Sequence, residues 1–299
     1  QFDASLLGRI DVRRNTRIDT ELRYGVSQEE RNTSGAVAGA ARRPFVHTYH
    51  ASARVTQRFN RLSLSLRGAV DATDYKDTSL SVGGVVSRDD RDYRDFTGTA
   101  RLSYDVRPGV LVYGEAEYSA RRHSQRYDNS GVARNSDGIT TEIGTTLALG
   151  RHMRADLAVG YIYRDYDDGS LNNVSAFSAN ANLAWNVTEL TTLRGAISTT
   201  IDETTIANAS ANVVREVMFG IDHELLQNLI LGAEFTVTDT RAVGSATRDV
   251  AYALDLSADY RLNRKAALTA HLIRRGQKST RAGADYTEHT ATIGLNLRL

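Results

Sequence analysis

The chain has 299 residues, with 37 basic and 36 acidic side chains, 14 Tyr, 23 Gly, only 2 Pro and no Cys. The lack of cysteine excludes a disulfide scaffold, a thiolate metal site and a cysteine nucleophile. The net charge of +1 provides no global field to steer nucleic acid, and the scarcity of proline beside many tyrosines favours β-structure over helix.

Hydropathy excludes a helical membrane protein. Mean hydropathy is −0.38, and no stretch approaches the roughly 18 to 20 consecutive apolar residues that a membrane helix needs. A membrane barrel stays compatible with this value, because a barrel strand exposes only every second side chain to lipid.

Apolar side chains alternate with polar ones from the start of the chain to its end. Ile18, Leu22, Tyr24 and Val26 share one face of a segment whose other face carries Arg17, Asp19, Glu21 and Arg23. The same split recurs in LSLSLRGAVDA at 62–72 and in later segments. A period of two predicts β-strands with one apolar and one polar face.

This alternation predicts 15 strands, each about as long as a tilted strand that crosses a bilayer. In chain order they are 2–12, 17–27, 46–58, 62–74, 95–106, 110–122, 139–149, 153–165, 174–186, 191–202, 210–224, 229–240, 249–261, 266–275 and 286–299.

The predicted connections alternate in length. Turns of two or three residues, such as Arg14-Asn15 and Arg107-Pro108-Gly109, follow the odd segments, and long polar loops, such as Gln28 to Pro44 and Tyr75 to Arg94, follow the even ones. Outer-membrane barrels combine short periplasmic turns with longer extracellular loops. We therefore predict an all-β, antiparallel, up-and-down transmembrane β-barrel as a single domain over 1–299; the alternative is a large soluble β-fold, in which loop lengths need not alternate.

Strand parity leads to a further expectation. Fifteen strands place the two termini at opposite ends of the barrel, whereas bacterial single-chain barrels have even strand numbers. We expect at least one upstream strand and a signal peptide outside this sequence, and a full-length barrel of 16 to 18 strands. The alternating last segment, HTATIGLNLRL, is similar to the C-terminal insertion signal of such barrels, with Leu299 in place of the usual Phe.

Several segments carry a family resemblance that spans nearly the whole chain. They are RIDVRRNT at 9–16, QRFNRLSLSLRG at 57–68, GYIYRDYDD at 160–168, LAWNVTELTTLRGAIS at 183–198, DHELLQNLILGAEF at 222–235, and YRLNRKAAL with the following GADYTEHTATIGLNLRL. The chain resembles the type 2 outer-membrane β-barrel porin family, common in alphaproteobacteria. The resemblance implies about three more upstream strands, 18 in all, and an association with exopolysaccharide export loci.

Charges of both signs fall on the polar face, which we predict to line the lumen. They are Arg54, Arg67, Arg101, Arg121, Arg154, Arg194, Arg275, Asp71, Glu115, Glu117, Glu142, Glu216, Glu234 and Asp255. Such charges either pair across strands as structural ladders or form a selectivity lining for polar solutes. The opposite face carries aromatic residues that we predict to form interfacial girdles: Tyr24, Tyr49, Tyr104, Tyr118, Trp185 and Tyr260.

No pattern in the sequence indicates an enzyme. The seven His are scattered over different segments, without a nucleophile elbow or paired-His metal spacing. We predict no catalytic residue, no metal and no cofactor. Asp89-Asp90-Arg91-Asp92 and Asp165-Tyr166-Asp167-Asp168-Gly169 could bind divalent cations that bridge lipopolysaccharide, or could be ordinary solvated loop tips.

The leading hypothesis is a non-enzymatic outer-membrane barrel, with short turns periplasmic and long loops extracellular, that conducts or exports a polar solute such as an exopolysaccharide. The second is a plugged barrel that anchors a surface assembly through the long loops, and a barrel lipase is third. Expected partners are outer-membrane lipid, lipopolysaccharide, and polysaccharide-export or surface-assembly proteins, with no nucleic acid.

Overall fold

The computed structural model describes residues 2–28, 40–204, 206 and 208–297. Leu299, which was predicted to end the last strand, lies outside these ranges, as does most of the predicted loop Gln28 to Pro44.

The described chain forms one 15-stranded antiparallel sheet in which each strand pairs with its neighbour in sequence. The long strands are β1 (Phe2–Arg13), β2 (Thr16–Gln28), β3 (Phe45–Phe59), β4 (Leu62–Tyr75), β7 (Tyr93–Arg107), β8 (Val110–His123), β9 (Ser136–Leu149), β10 (Met153–Tyr166), β11 (Val174–Asn186), β12 (Thr191–Asp202), β13 (Ala211–Leu226), β14 (Leu229–Val243), β15 (Arg248–Arg261), β16 (Ala266–Ser279) and β17 (Tyr286–Leu297). The fold class and all 15 predicted segments are confirmed.

The long loop between β4 and β7 contains additional structure that periodicity did not predict. The two-residue strands β5 (Thr78–Ser79) and β6 (Val85–Val86) pair with each other, and Asp89–Arg91 forms one turn of 3₁₀-helix. No helix of the described residues is long and apolar enough to cross a membrane.

Several strands run further than the alternation predicted. The predicted end of β16 is Arg275, yet Gln277 and Lys278 still pair with Ala251 and Val250 of β15. Polar residues at a strand end break the apolar pattern but keep the backbone ladder, because main-chain hydrogen bonds do not depend on side-chain hydropathy.

The two faces of the sheet differ in chemistry. One face carries exposed large apolar side chains, such as Leu66, Ile143 and Phe177, which are 52%, 69% and 58% accessible. On the other face, side chains from strands far apart in the sheet meet. Arg121 of β8 contacts Glu203, which follows β12 four strands away. The sheet therefore curls around its polar face, as a barrel wall does, and we call this face the interior.

The outermost strands each have one neighbour among the described residues. β1 pairs with β2, and β17 pairs with β16. The sheet described here therefore has two free edges.

Candidate functional site

Polar contacts on the interior face join β7 to β8 and β9 to β11. Arg101 Nε donates to Glu115 Oε2 at 2.5 Å, and Glu142, opposite Glu115 in register, accepts hydrogen bonds from Ser178 and Asn180 at 2.6 Å each. Glu142 reaches β11 by passing over Gly160 of β10, where a Cβ atom would lie 2.8 Å from its Cγ. A glycine at this position lets one carboxylate of β9 bond to β11 across β10.

Other members of the predicted lining also pair across strands. His50 Nδ1 lies 2.6 Å from Asp71, and Arg67 Nη2 lies 3.2 Å from His50 Nε2. On the opposite side of the interior, Arg194 is paired with Asp222 at 2.8 Å and with Glu234 at 3.3 Å.

The remaining predicted lining residues have fewer charged partners. Glu117 and Glu216 accept hydrogen bonds from Thr99 and Thr238 at 3.1 and 3.2 Å, and Asp255 lies 3.2 Å from His271. The register gives the neighbours of the other three on the two adjacent strands. Arg54 is opposite Asp19 and Arg67, and Arg154 is opposite Ala148 and Ala184. Arg275 is opposite Ala253 and Glu288.

Part of the β12–β13 hairpin folds into the barrel. The register of β11 with β12 ends at Ala181 and Ile197, whereas the register of β12 with β13 continues to Asp202 and Asn212. The described residues of 198–214 thus leave the backbone register of β11, while 198–202 stay paired with 212–216. We call this segment the folded-in hairpin.

Apolar packing holds the folded-in hairpin against the wall. Ala211 and Val213 are 1% and 6% accessible, and they pack in a cluster with Tyr166 of β10 and Val174 and Ala176 of β11. Val174 is fully buried. Because this cluster lies at the loop end of the barrel, it narrows the interior there.

An ion pair fixes the tip of the same hairpin. Arg121 Nη1 donates to Glu203 Oε1 at 2.5 Å, while its Nε and Nη2 donate to both oxygens of Asp95 at 2.8 and 2.6 Å. His123 Nε2 lies 3.8 Å from Glu203 Oε2, and its side chain is 4% accessible. Tyr93 covers the Arg121 guanidinium at 4.3 Å.

The neighbouring loop reaches the hairpin from the other side. Arg134 donates to the Ala209 carbonyl at 3.3 Å and is paired with Asp128 at 2.6 Å. Burial acts to raise the pKa of Asp128, but hydrogen bonds from the Val132 amide, Arg134 and the Ser130 amide outweigh it and hold the pKa below its ordinary value.

The carboxylates of the two acidic segments singled out in the sequence accept hydrogen bonds from backbone N–H groups. Asp90 and Asp92 accept backbone hydrogen bonds from Asn129 and Tyr75, and Asp168 accepts them from Ala133 and Ser170. The described residues contain no group of three or more His, Asp or Glu that could hold a metal ion.

Below the hairpin lies a polar cavity of about 330 Å³. Glu115, Glu117 and Glu142 line it on one side, and Arg164 on another. Arg164 donates to Ser136 and Ser119 at 2.9 Å each, and its buried Nε has no hydrogen-bond partner among the described residues.

Sequence reasoning missed the folded-in hairpin and the roles of Glu203, His123 and Arg164. One signal was available: residues 207–212 read Ala-Asn-Ala-Ser-Ala-Asn, without the bulky residues that a strand end presents to lipid.

The six predicted girdle aromatics lie in two groups, on the face that carries the exposed apolar side chains. Tyr104, Trp185 and Tyr260 lie near the short-turn ends of their strands, and Tyr24, Tyr49 and Tyr118 lie toward the loop ends. Tyr24 packs against Tyr49 with ring centroids 5.1 Å apart. The five girdle aromatics other than Tyr24 are 39% to 51% accessible.

Comparison with known proteins is consistent with this architecture. The family model described as "Putative beta-barrel porin 2" matches residues 1–299. No curated protein matches significantly.

The solved structures with a similar fold include receptors and transporters of low sequence identity. The ferric enterobactin receptor PfeA from Pseudomonas aeruginosa aligns with a TM-score of 0.54 and 9% identity, over 98% of this chain and 61% of the receptor. The FrpB iron transporter from Neisseria meningitidis aligns at 0.56 and 11%, over 99% and 57%. The outer membrane transporter YddB from Escherichia coli aligns at 0.54 and 13%, over 93% and 48%. The chain therefore spans about half to three-fifths of the length of these proteins, and the likeness concerns the fold.

Proposed function

The chain belongs to this family of β-barrel porins, and on that premise we propose that it forms a polar-lined pathway through the bacterial outer membrane for a polar solute, with an exopolysaccharide as the leading cargo. The observation that carries the proposal is the contrast between the two faces of the wall. Exposed apolar side chains cover one face, while the other carries hydrogen-bonded polar pairs such as Arg101–Glu115 and Ser178–Glu142.

The chemistry of the polar side chains on the interior face suits a hydroxyl-rich solute. Carboxylate, amide and guanidinium groups can exchange hydrogen bonds with sugar hydroxyls as they do with water, and a lining of both signs does not trap a solute of one charge. We place the short turns in the periplasm and the long loops outside the cell, as in other barrels of this type. Lipopolysaccharide and polysaccharide-export or surface-assembly proteins are the proposed partners.

Sugar entry into liposomes tests the pathway. The full-length protein, reconstituted in liposomes, is expected to admit arabinose faster than the larger stachyose, because a water-filled pore sieves by size. A Val217→Ala variant, changed at a 50% accessible side chain on the apolar face, serves as the control and should match the parent protein. Entry no faster than into protein-free liposomes for every sugar would overturn the proposal.

The folded-in hairpin favours a second candidate, a plugged barrel that anchors a surface assembly. In that case the loops Gln28 to Pro44 and Tyr75 to Arg94 are the docking surfaces. A pull-down with the full-length protein and with a variant in which Tyr75 to Arg94 is replaced by a Gly-Ser linker tests it. A surface protein retained by the parent and lost by the variant supports anchoring; identical retention by both contradicts it.

A further inference from the structure

The tip of the folded-in hairpin places the Glu203 carboxylate among charged groups of the wall. The wall behind the tip carries the guanidinium groups of Arg121, Arg134 and Arg164, and the carboxylates of Asp95 and Asp128. The guanidiniums of Arg121 and Arg134 are paired with these carboxylates, and Arg164 has hydroxyl partners alone among the described residues. Asp90, Arg91, His123 and Arg134 line the pocket around Glu203 and Thr204 of the tip, and Glu115, Glu117 and Glu142 lie in the cavity beside Arg164.

The Arg121 guanidinium binds a second carboxylate besides that of Asp95. Asp95 takes the Nε and Nη2 edge of the guanidinium, and Glu203 takes Nη1 alone. The buried His123 side chain lies beside the same carboxylate, with its Nδ1 unpartnered among the described residues. A guanidinium edge with an adjacent imidazole is a carboxylate-binding arrangement.

We propose that Arg121, His123 and Arg134 form a binding site for the carboxylate of an acidic sugar, and that Glu203 occupies it as an internal stand-in that such a sugar displaces. Because Arg121 Nη1 already binds the carboxylate of Glu203, a uronic acid residue fits better than a neutral sugar. The proposal rests on the proposed function, since it names the chemical class of the solute.

The displacement opposes the packing of the hairpin. Beyond Glu203, the wall holds the hairpin by the apolar cluster with Ala211 and Val213, by hydrogen bonds between Thr199 and β11 and by the hydrogen bond from Arg134 to Ala209. A ligand shifts such an equilibrium by its differential affinity for the two states, and loss of a charge-assisted hydrogen bond of this type changes the balance by roughly tenfold or more.

Thiol labelling reports release of the tip. The chain has no cysteine, and Thr204 is 3% accessible, so in a Thr204→Cys variant of the full-length protein a maleimide reagent reacts slowly while the tip is docked. We expect sodium glucuronate to raise the labelling rate roughly tenfold at saturation, with no response to glucose or to sodium chloride of equal ionic strength. A Val82→Cys variant, at a 94% accessible position, should show no change.

Binding of glucuronate separates a ligand site from a purely structural ion pair. In Glu203→Gln the internal competitor is lost, so we expect glucuronate to bind roughly tenfold or more tightly than in the parent. Glu224→Gln, the same change at an exposed position at the other end of β13, should leave the affinity unchanged. An affinity that is equal or weaker in Glu203→Gln, or labelling that responds equally to sodium chloride, overturns the proposal.

These outcomes are independent of the transport assay. If sugars enter liposomes but glucuronate neither binds nor releases the tip, the carboxylate site is wrong and the pore stands. If glucuronate releases the tip but no sugar enters, the site stands and the pore is wrong.

Discussion

At the residue scale, the interior is organised by a few side chains that cross more than one strand. Glu142 extends over Gly160 to bond with Ser178 and Asn180, and Arg121 joins Asp95 to Glu203. Side chains of this kind couple strands that the backbone ladder does not join directly, so single substitutions should affect the wall beyond the nearest neighbour.

Gly160→Ala tests the crossing carboxylate. The added methyl group would collide with the Thr141 carbonyl and approach the Glu142 side chain, and overpacking of this kind costs about 1–3 kcal/mol. We expect a lower thermal midpoint in detergent, followed by circular dichroism. Gly98→Ala, where a Cβ meets nothing within 4 Å, is the matched control. Equal midpoints for the two variants would contradict the role of Gly160.

Asp128 makes the stability of the loop depend on pH in a defined direction. Its pKa in the folded protein lies below its ordinary value, which in an unfolded chain is about 3.9. Its stabilisation is therefore fully present above the unfolded pKa and is lost as pH falls through the folded pKa. The difference in thermal midpoint between the parent and Asp128→Asn should be constant at neutral pH and should disappear in acid. A difference that grows on acidification would contradict this.

At the element scale, the strands were predictable and the folded-in hairpin was not. Alternation locates β4 or β15 because every second residue meets lipid, and the same constraint acts on each strand independently. The upper part of β12 and β13 keeps its backbone pairing but turns into the interior, because Val213 and Ala211 find apolar partners on β10 and β11. This inward turn depends on an apolar surface formed by residues distant in the sequence, which local periodicity does not encode.

The prediction of lining residues has the same limit. Strand parity assigns Glu142 and Arg101 to the polar face, and the structure shows contacts between strands there. Parity gives no information about loops, so Glu203 and the Arg134–Asp128 pair could not be found from it. Glu203 pairs with Arg121 of β8, and Arg134 of the loop after β8 reaches the Ala209 carbonyl.

Val174→Ala probes the packing of the hairpin. Val174 is fully buried in the cluster, and removal of two methyl groups with the resulting cavity costs roughly 2 kcal/mol. We expect faster hydrogen exchange for amides in 198–214, with β15 and β16 unchanged. Acceleration spread evenly over all strands would indicate that the hairpin is an ordinary part of the wall. Val217→Ala, at a 50% accessible position, is the control.

Fluorescence of Trp185 can locate the aromatic residues near the short-turn ends of the strands relative to the membrane. It is the single tryptophan of the chain and is 42% accessible on the apolar face, so it should lie at a membrane interface. We expect stronger fluorescence quenching by lipids brominated near the headgroup than by lipids brominated at the chain ends. Absence of quenching by either lipid would place Trp185 in water and reverse the assignment of the faces.

At the scale of the whole molecule, the wall has free edges at β1 and β17 among the described residues. Unpaired backbone groups are costly in lipid. The expected barrel of 16 to 18 strands, which would pair these edges, stays a prediction. The fold likeness to receptors and transporters covers about half to three-fifths of their length, so cargo and partners are proposals based on the chemistry of the interior.

The central claim is a polar pathway through this barrel, narrowed by the folded-in hairpin. Single-channel recording in planar bilayers tests it most directly, with the full-length protein compared with a variant in which residues 203–210 are replaced by a two-residue Asn-Gly turn. We predict discrete conductance steps that are larger in the variant, because the tip that pairs with Arg121 no longer lies in the interior. Bilayers that stay silent with both proteins would contradict the pathway.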